Sequence, residues 1–294
     1  MKTKSRFTNW IHQTVFVGPA AIFFALIVIT PFLLSIYYSF TEWNGVTSDM
    51  KWTGFDNFRR ILFTDEDFHK SFWFTTRFSV TNVLLANVVG FGLALLLTQK
   101  LKSRNVLRTV FFLPNVIGGL LLGFIWQFIF VKGFTAIGEL TGIAFFQLPW
   151  LGDAPTAFWA LVIVSVWQTA GYLMVIYIAA LSNVPKDVTE AATIDGANRL
   201  QTLRHITLPL IMPAVTVCLF LTISWAFKMY DLNVSLTQGG PFNSTQSVAL
   251  NIYEEAFRNN RYGLGTAKSL LFFIVVALIS SIQVWVTKRK EVEV

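Results

Sequence analysis

Long stretches without a charged residue alternate along this chain with short polar passages. A membrane-spanning helix needs about 20 predominantly apolar residues, and charged side chains inside one are costly, so charge-free runs locate candidate spans. Seven long runs occur, at 7–41, 78–99, 109–131, 154–185, 205–227, 232–253 and 269–287. Six read as helices, at about 15–40, 71–97, 110–130, 158–181, 208–227 and 263–286. The run 232–253 is set aside, because its middle, TQGGPFNSTQS, offers turn formers and polar groups but no continuous apolar face. It reads as a loop at a membrane surface. The expected fold class is an all-α membrane protein with six transmembrane helices. Pro19 and Pro31 predict kinks in the first span, while Pro114, Asn115, Gly118 and Gly119 predict a break near the start of the third.

Composition agrees with that reading. Of 294 residues, 54% are hydrophobic and 13% charged, against about a quarter charged in soluble domains. An even number of spans puts both termini on one side. With that arrangement thirteen lysines and arginines, including Lys2, Lys4, Arg6 and those of 100–108, 186–204 and 288–290, share a side, against eight opposite. The basic-rich side is cytoplasmic by the positive-inside rule, which gives an N-in, C-in orientation. The net charge of +7 does not point to nucleic acid, because the basic residues stand at span boundaries without interleaved aromatics. A single cysteine, Cys218, in an apolar run leaves no disulfide framework and reads as a small buried hydrophobe. The basic start and following apolar run exceed the h-region of a signal peptide, so this segment is expected to remain as the first span. The acidic trio Asp65, Glu66 and Asp67 reads as a solvated surface run and not a metal site, since consecutive carboxylates do not share a helix face.

One long polar passage keeps helical periodicity: 185–209, PKDVTEAATIDGANRLQTLRHITLP. Val188, Ala191 and Ala192 fall at i, i+3, i+4 among Lys186, Asp187, Glu190 and Asp195, which describes a short amphipathic helix. Gly196 breaks it. Ala197, Leu200, Leu203 and Ile206 follow at three-residue steps, with Arg199, Arg204 and His205 on other faces, until Pro209 opens the next apolar run. By periodicity alone this is either a docking element or a solvated loop between spans.

The spacing of Glu190-Ala191-Ala192, Gly196 and Ile206-Thr207-Leu208-Pro209 resembles the EAA loop of bacterial ABC importer permeases, whose frequent aspartate before the glycine is present as Asp195. Leu203 departs from the pattern, standing where an aromatic often precedes the Arg-His pair. Tyr230-Asp231 followed by Leu236-Thr237-Gln238-Gly239-Gly240-Pro241, Gly54-Phe55 with Asn57-Phe58, and Phe112-Leu113-Pro114 are similar to passages of the family's sugar-importing branch. The resemblance covers nearly the whole chain. It implies the type I importer permease fold and a transmembrane permease subunit that moves carbohydrate by alternating access, driven by ATP and dependent on a binding protein. It further implies that Glu190, Ala191, Ala192, Asp195, Gly196, Arg204, Ile206, Leu208 and Pro209 couple the chain to an ATPase.

No GxxxxGK[ST] sequence occurs, so this chain is expected to bind no cofactor, with ATP and magnesium on the partner ATPase. The implied partners are a second homologous permease, two ATP-binding subunits or an ATPase homodimer, an extracytoplasmic solute-binding protein, the sugar and membrane lipid, but no nucleic acid. The implied location is the bacterial plasma (inner) membrane, multi-pass, with both termini cytoplasmic. The chain divides into a tail, first helix and outer loop (1–70), a five-helix permease core carrying the coupling loop (71–287), and a basic tail (288–294).

Candidate pathway residues stand inside or at the ends of the spans. Asn87 in the second span either packs or faces solute, and Asn115 lies near the break in the third. Gln168 at the middle of the fourth must find a partner, and Trp167 and Tyr172 offer flat faces of the kind that stack on sugar rings. The alternative is a cluster that only ties helices together. Trp225 and the pair Tyr230 and Asp231 complete the set at the end of the fifth span. The span cores carry no charge, which favours a neutral polar solute. Competing readings are a permease for another polar solute, such as glycerol phosphate or a sugar-modified amino acid, and a membrane-embedded enzyme. The enzyme reading lacks support, because no span holds a carboxylate pair, HExxH or a Ser with a His, and His12, His69 and His205 lie outside the span cores. No catalytic or metal-binding residue is expected.

Overall fold

The computed structural model describes residues 15–291. Lys2, Lys4 and Arg6, used above for orientation, and His12 lie outside the described residues. The architecture is helical. Among the described residues there is no strand, only an isolated bridge between Thr41 and Trp52. The main helices are α1 (Val15–Ser39), α2 (Asp56–Phe63), α3 (Glu66–Leu97), α4 (Arg104–Val116), α5 (Gly119–Thr141), α6 (Ala154–Ser182), α7 (Lys186–Ile194), α8 (Arg199–Leu210), α9 (Met212–Phe227), α10 (Asp231–Leu236), α11 (Val248–Tyr253) and α12 (Tyr262–Lys288). Five are long and apolar enough to cross a membrane, and the bent pair α8 and α9 makes a sixth. The chain forms two compact units, one ending at Asp65 and including Ile252–Phe273, the other built from Glu66–Asn251 with the residues from Ile274 onward.

In the first unit, none of the apolar window of α1 is buried by the rest of the chain, so its side chains are left to lipid or to another subunit. The kink expected at Pro31 takes the form of a π-helical turn, Ala25–Ile29, just before the proline, which absorbs the missing donor by widening the helix. The exit of α1 is braced by Asn57, whose Nδ2 donates to the carbonyls of Ser39 and Thr41, each at 2.9 Å. Lys268, seven residues into α12, is fully buried, with its Nζ 2.8 Å from Asp65 Oδ2 and 2.5 Å from Glu255 Oε2. Arg261 Nε reaches the other oxygen of Glu255 at 2.8 Å. This corrects one expectation: Asp65 is no solvated surface charge. Lys268, just before the last charge-free run, is held by the paired carboxylates that a buried cation requires.

In the second unit α3 and α6 form the most extensive helix pairing, with α4 packed on α6 and α9 on α3. Phe74, Phe78, Leu122, Phe130 and Leu161 centre one core cluster; Ala86, Leu97, Leu173, Met174 and Cys218 centre another. Cys218 is buried, as its apolar run implied. The break expected near the start of the third span is present: Ile117 and Gly118 are extended (ψ 126° and 143°), so 110–130 is the end of α4 plus the start of α5. The bounds differ from expectation, because the helix of membrane length is Gly119–Thr141.

The run 232–253 also differs. It is no surface loop: it carries α10 and α11, and Asn233, Ser235, Thr245 and Ser247 are fully buried. α10 lies so close to α5 that a Cβ on Gly123 would stand 1.8 Å from Ser235 Oγ. Glycine is what permits this crossing. Asn233 Nδ2 donates to the Thr245 carbonyl at 2.8 Å, and the Ser247 amide donates to Asn233 Oδ1 at 2.9 Å. Polar groups are buried here because each finds a partner.

Candidate functional site

The coupling passage is assembled by local rules. Pro185 is extended and α7 starts after it. At its C-terminus the Gly196 amide donates to Thr193 O (3.1 Å) and the Ala197 amide to Ala192 O (2.9 Å), with Gly196 left-handed at φ +81°. That is a Schellman ending, for which glycine carries no Cβ penalty. Two residues later Asn198 and Gln201 form a reciprocal capping box that starts α8. α8 turns π-helical over Leu203–Thr207. It then meets α9 at a bend of 73° around Ile211, between Pro209 and Pro213.

Of α7 only Ala192 is buried. Glu190, Ala191 and Asp195 are exposed, as are Gly196 and Arg204, while Ile206, Leu208 and Pro209 are half-buried where the passage joins the bundle. Exposed apolar side chains accompany them: Ile194 is 85% and Leu200 72% accessible. The amphipathic pattern is therefore present, but its apolar positions are mostly uncovered within this chain. A stable surface seldom leaves such a patch on a short rigid turn unless something docks there.

A second feature lies midway along α6. Asn115, Gln168, Trp225, Tyr230 and Asp231, five of the eight candidate pathway residues, line one cavity of about 320 Å³ together with Ser165, Thr169, Lys228 and Gly119. Gln168 Nε2 donates to the Ile117 carbonyl at 3.0 Å, closing the backbone gap between α4 and α5 from the cavity wall. Tyr172 stands beside the cavity, its ring edge-on to Trp225 at 5.3 Å between centroids. Trp167 is not part of it and packs on Trp126, 5.5 Å between centroids.

Asn87 is a helix tie. Its Nδ2 donates to Val83 O and Thr222 Oγ1, and its Oδ1 accepts from Tyr177 Oη at 2.7 Å. Ser165 and Thr169 escaped the sequence reading, although Ser165 stands at i−3 from Gln168, a same-face signal available from spacing alone. Lys228 was passed over as a span-end charge. Among the described residues no group of His, Cys, Asp and Glu is arranged to hold a metal ion.

Over residues 86–292 the chain matches the family described as binding-protein-dependent transport system inner membrane component. It is 47% identical over 287 residues to a probable starch degradation products transport system permease protein, AmyD, of Thermoanaerobacterium thermosulfurigenes, covering 98% of this chain and 97% of that protein. It is 32% identical over 291 residues to the multiple sugar-binding transport system permease protein MsmF of Streptococcus mutans, covering 99% of each. Its fold is that of a chain from the crystal structure of a bacterial ABC transporter involved in the import of the acidic polysaccharide alginate, with TM-score 0.82 at 21% identity over 97% of this chain and 98% of that one. The helices of membrane length, the exposed helix pair and the polar cavity it leads to thus belong to a chain of the family of inner-membrane permease components of binding-protein-dependent ABC transport systems.

Proposed function

We propose that this permease imports carbohydrate, an oligosaccharide or other neutral sugar, and that its work depends on the continuous path from α7 through the 73° bend into α9. That path is the observation that carries the reading: the far end of α9 supplies Trp225 and Ala226 to the cavity wall, so displacement of the coupling turn displaces one side of the cavity. The names of the relatives, which concern starch degradation products and multiple sugars, support the substrate class. So do the amide, hydroxyl and indole groups of Gln168, Ser165, Thr169 and Trp225 around the cavity, which suit a neutral hydroxylated solute.

In this reading the coupling turn faces the cytoplasm with both termini, and Glu190, Ala191, Ala192, Asp195, Gly196, Arg204, Ile206, Leu208 and Pro209 meet an ATPase that carries ATP and magnesium. A second related permease completes the cavity, and a solute-binding protein delivers the sugar from outside. Nucleotide binding supplies the differential free energy between inward-open and outward-open states, without which no population shift occurs. Glu190→Lys is expected to lower sugar uptake by reconstituted transporter at least tenfold, on the order of 1.4 kcal/mol of lost coupling, while membrane insertion stays normal. Unchanged uptake in that variant would contradict the assignment.

A further inference from the structure

One exposed face of α3 changes character in order along its length. Lys70, Trp73, Arg77, Val80, Leu84 and Val88 follow one another at three- and four-residue steps, which places them on one side of the helix. Lys70 and Arg77 are exposed, and the four others are each more than half accessible. The stripe thus begins basic, passes through an indole and ends purely aliphatic.

A groove follows this stripe. Its upper part, a hollow of about 640 Å³, reaches Lys70; its lower part, of about 630 Å³, shares Trp73 and Arg77 and runs past Val80 between α3 and the first turns of α6, against Phe158 and Trp159. The Arg77 guanidinium lies over the Phe158 ring, 5.1 Å from its centroid, and makes no ion pair among the described residues. Stacking on a ring orients the cation without neutralising it. An arginine within a helix of membrane length is costly unless an anion meets it. The groove touches the start of α6, whereas the coupling turn follows its end. At about 1.5 Å per residue, helix α6 separates them by roughly 40 Å, a full bilayer, so the groove lies in the leaflet opposite the coupling turn. From Arg77 to Val88 the stripe descends roughly 16 Å, about half of a hydrocarbon core.

We propose that this groove holds one anionic phospholipid of that leaflet, its phosphate on Arg77, its headgroup toward Lys70 and one acyl chain laid along Val80, Leu84 and Val88. The planar guanidinium fork matches phosphate oxygens bidentately. Trp73 and Trp159 stand where indoles favour the headgroup boundary. Basic, then aromatic, then aliphatic is the order in which a phospholipid presents its own parts from the surface inward. A helix of a second permease fits the stripe less well: an apolar one leaves Arg77 without a counter-charge, and one bearing a carboxylate must bury a second ion to supply it. The lipid site requires only that α3 and α6 cross the bilayer, and it does not depend on which solute is carried.

The test uses the assembled transporter purified in detergent and titrated with phosphatidylglycerol brominated along its acyl chains, which quenches nearby tryptophans. Phosphatidylcholine carrying the same bromines is titrated in parallel. Phosphatidylglycerol is expected to reach half its quenching at a concentration about fivefold or more below phosphatidylcholine, and Arg77→Gln to erase that difference. Trp73→Phe combined with Trp159→Phe should remove the saturable part of the quenching, which places the lipid in the groove. Equal half-saturation by the two lipids in the unaltered transporter overturns the proposal, whether or not any variant assembles. So does a phosphatidylglycerol preference that survives in Arg77→Gln, or saturable quenching that survives without Trp73 and Trp159, since the lipid then sits elsewhere. If the unaltered transporter shows no saturable quenching with either lipid, the second permease covers this face and the proposal falls.

Discussion

Two polar turns interrupt the apolar runs of this chain, and they are held by opposite means. The coupling turn around Gly196 is satisfied within a few residues, by a Schellman ending and a capping box, and buries only Ala192 of its first helix. The turn that follows α10 is satisfied at long range, through Asn233, Thr245, Gln246 and Ser247 and across to Ser71 and Thr75 on α3. The first can move as a body without leaving a backbone group unpaired, because its hydrogen bonds travel with it. The second cannot leave its place without stranding buried donors and acceptors. The first thus has the build of a handle and the second that of a platform, both from the same residue types.

The comparison can be broken most sharply at its glycines. Gly123→Ala would push a Cβ to 1.8 Å from Ser235 Oγ and 2.7 Å from its Cβ, forcing α5 and α10 apart. The expected loss is about 3 kcal/mol, at the upper end for overpacking, read as a fall in the unfolding midpoint of the purified protein. Asn233→Ala should come next. It leaves the Thr245 carbonyl and Ser247 amide without their partner, at about 1–3 kcal/mol for a buried group so stranded, and amide exchange at Ser247 should accelerate in step. Gly196→Ala meets no atom within 4 Å and carries only the left-handed backbone penalty of about 1 kcal/mol. Its unfolding midpoint should barely move, while uptake per ATP hydrolysed falls. If Gly196→Ala proved as destabilising as Gly123→Ala, the contrast between handle and platform would be wrong.

The sequence was informative wherever structure depends on neighbours in the chain. Gly196 marked the end of α7, and charge-free runs marked most of the helices of membrane length. Misreadings came from partners far along the chain. Asp65 looks solvated beside Glu66 and Asp67 until Lys268 is brought against it. The run 232–253 looks like a loop because several partners of its buried polar residues lie on α3 and across the turn. The break in the third span was legible in Pro114, Gly118 and Gly119, but the helix beyond it runs on past Phe130 to Thr141. Within the cavity, midplane polarity pointed to Gln168, the break in the third span to Asn115, and three-residue spacing from Gln168 would have added Ser165. Nothing local distinguished Asn87, whose three hydrogen bonds engage α3, α6 and α9.

The ion cluster at Lys268 bears on how the chain is made. A lone lysine in an apolar helix adds about 2.5–3.5 kcal/mol to the work of partitioning that helix into the bilayer. Asp65 and Glu255, which hold it at 2.8 and 2.5 Å, both leave the ribosome before it does. The cation thus emerges last, into a nascent protein that already carries its two counter-charges, and the final helix can be threaded home without lingering as an unpaired charge among lipid tails.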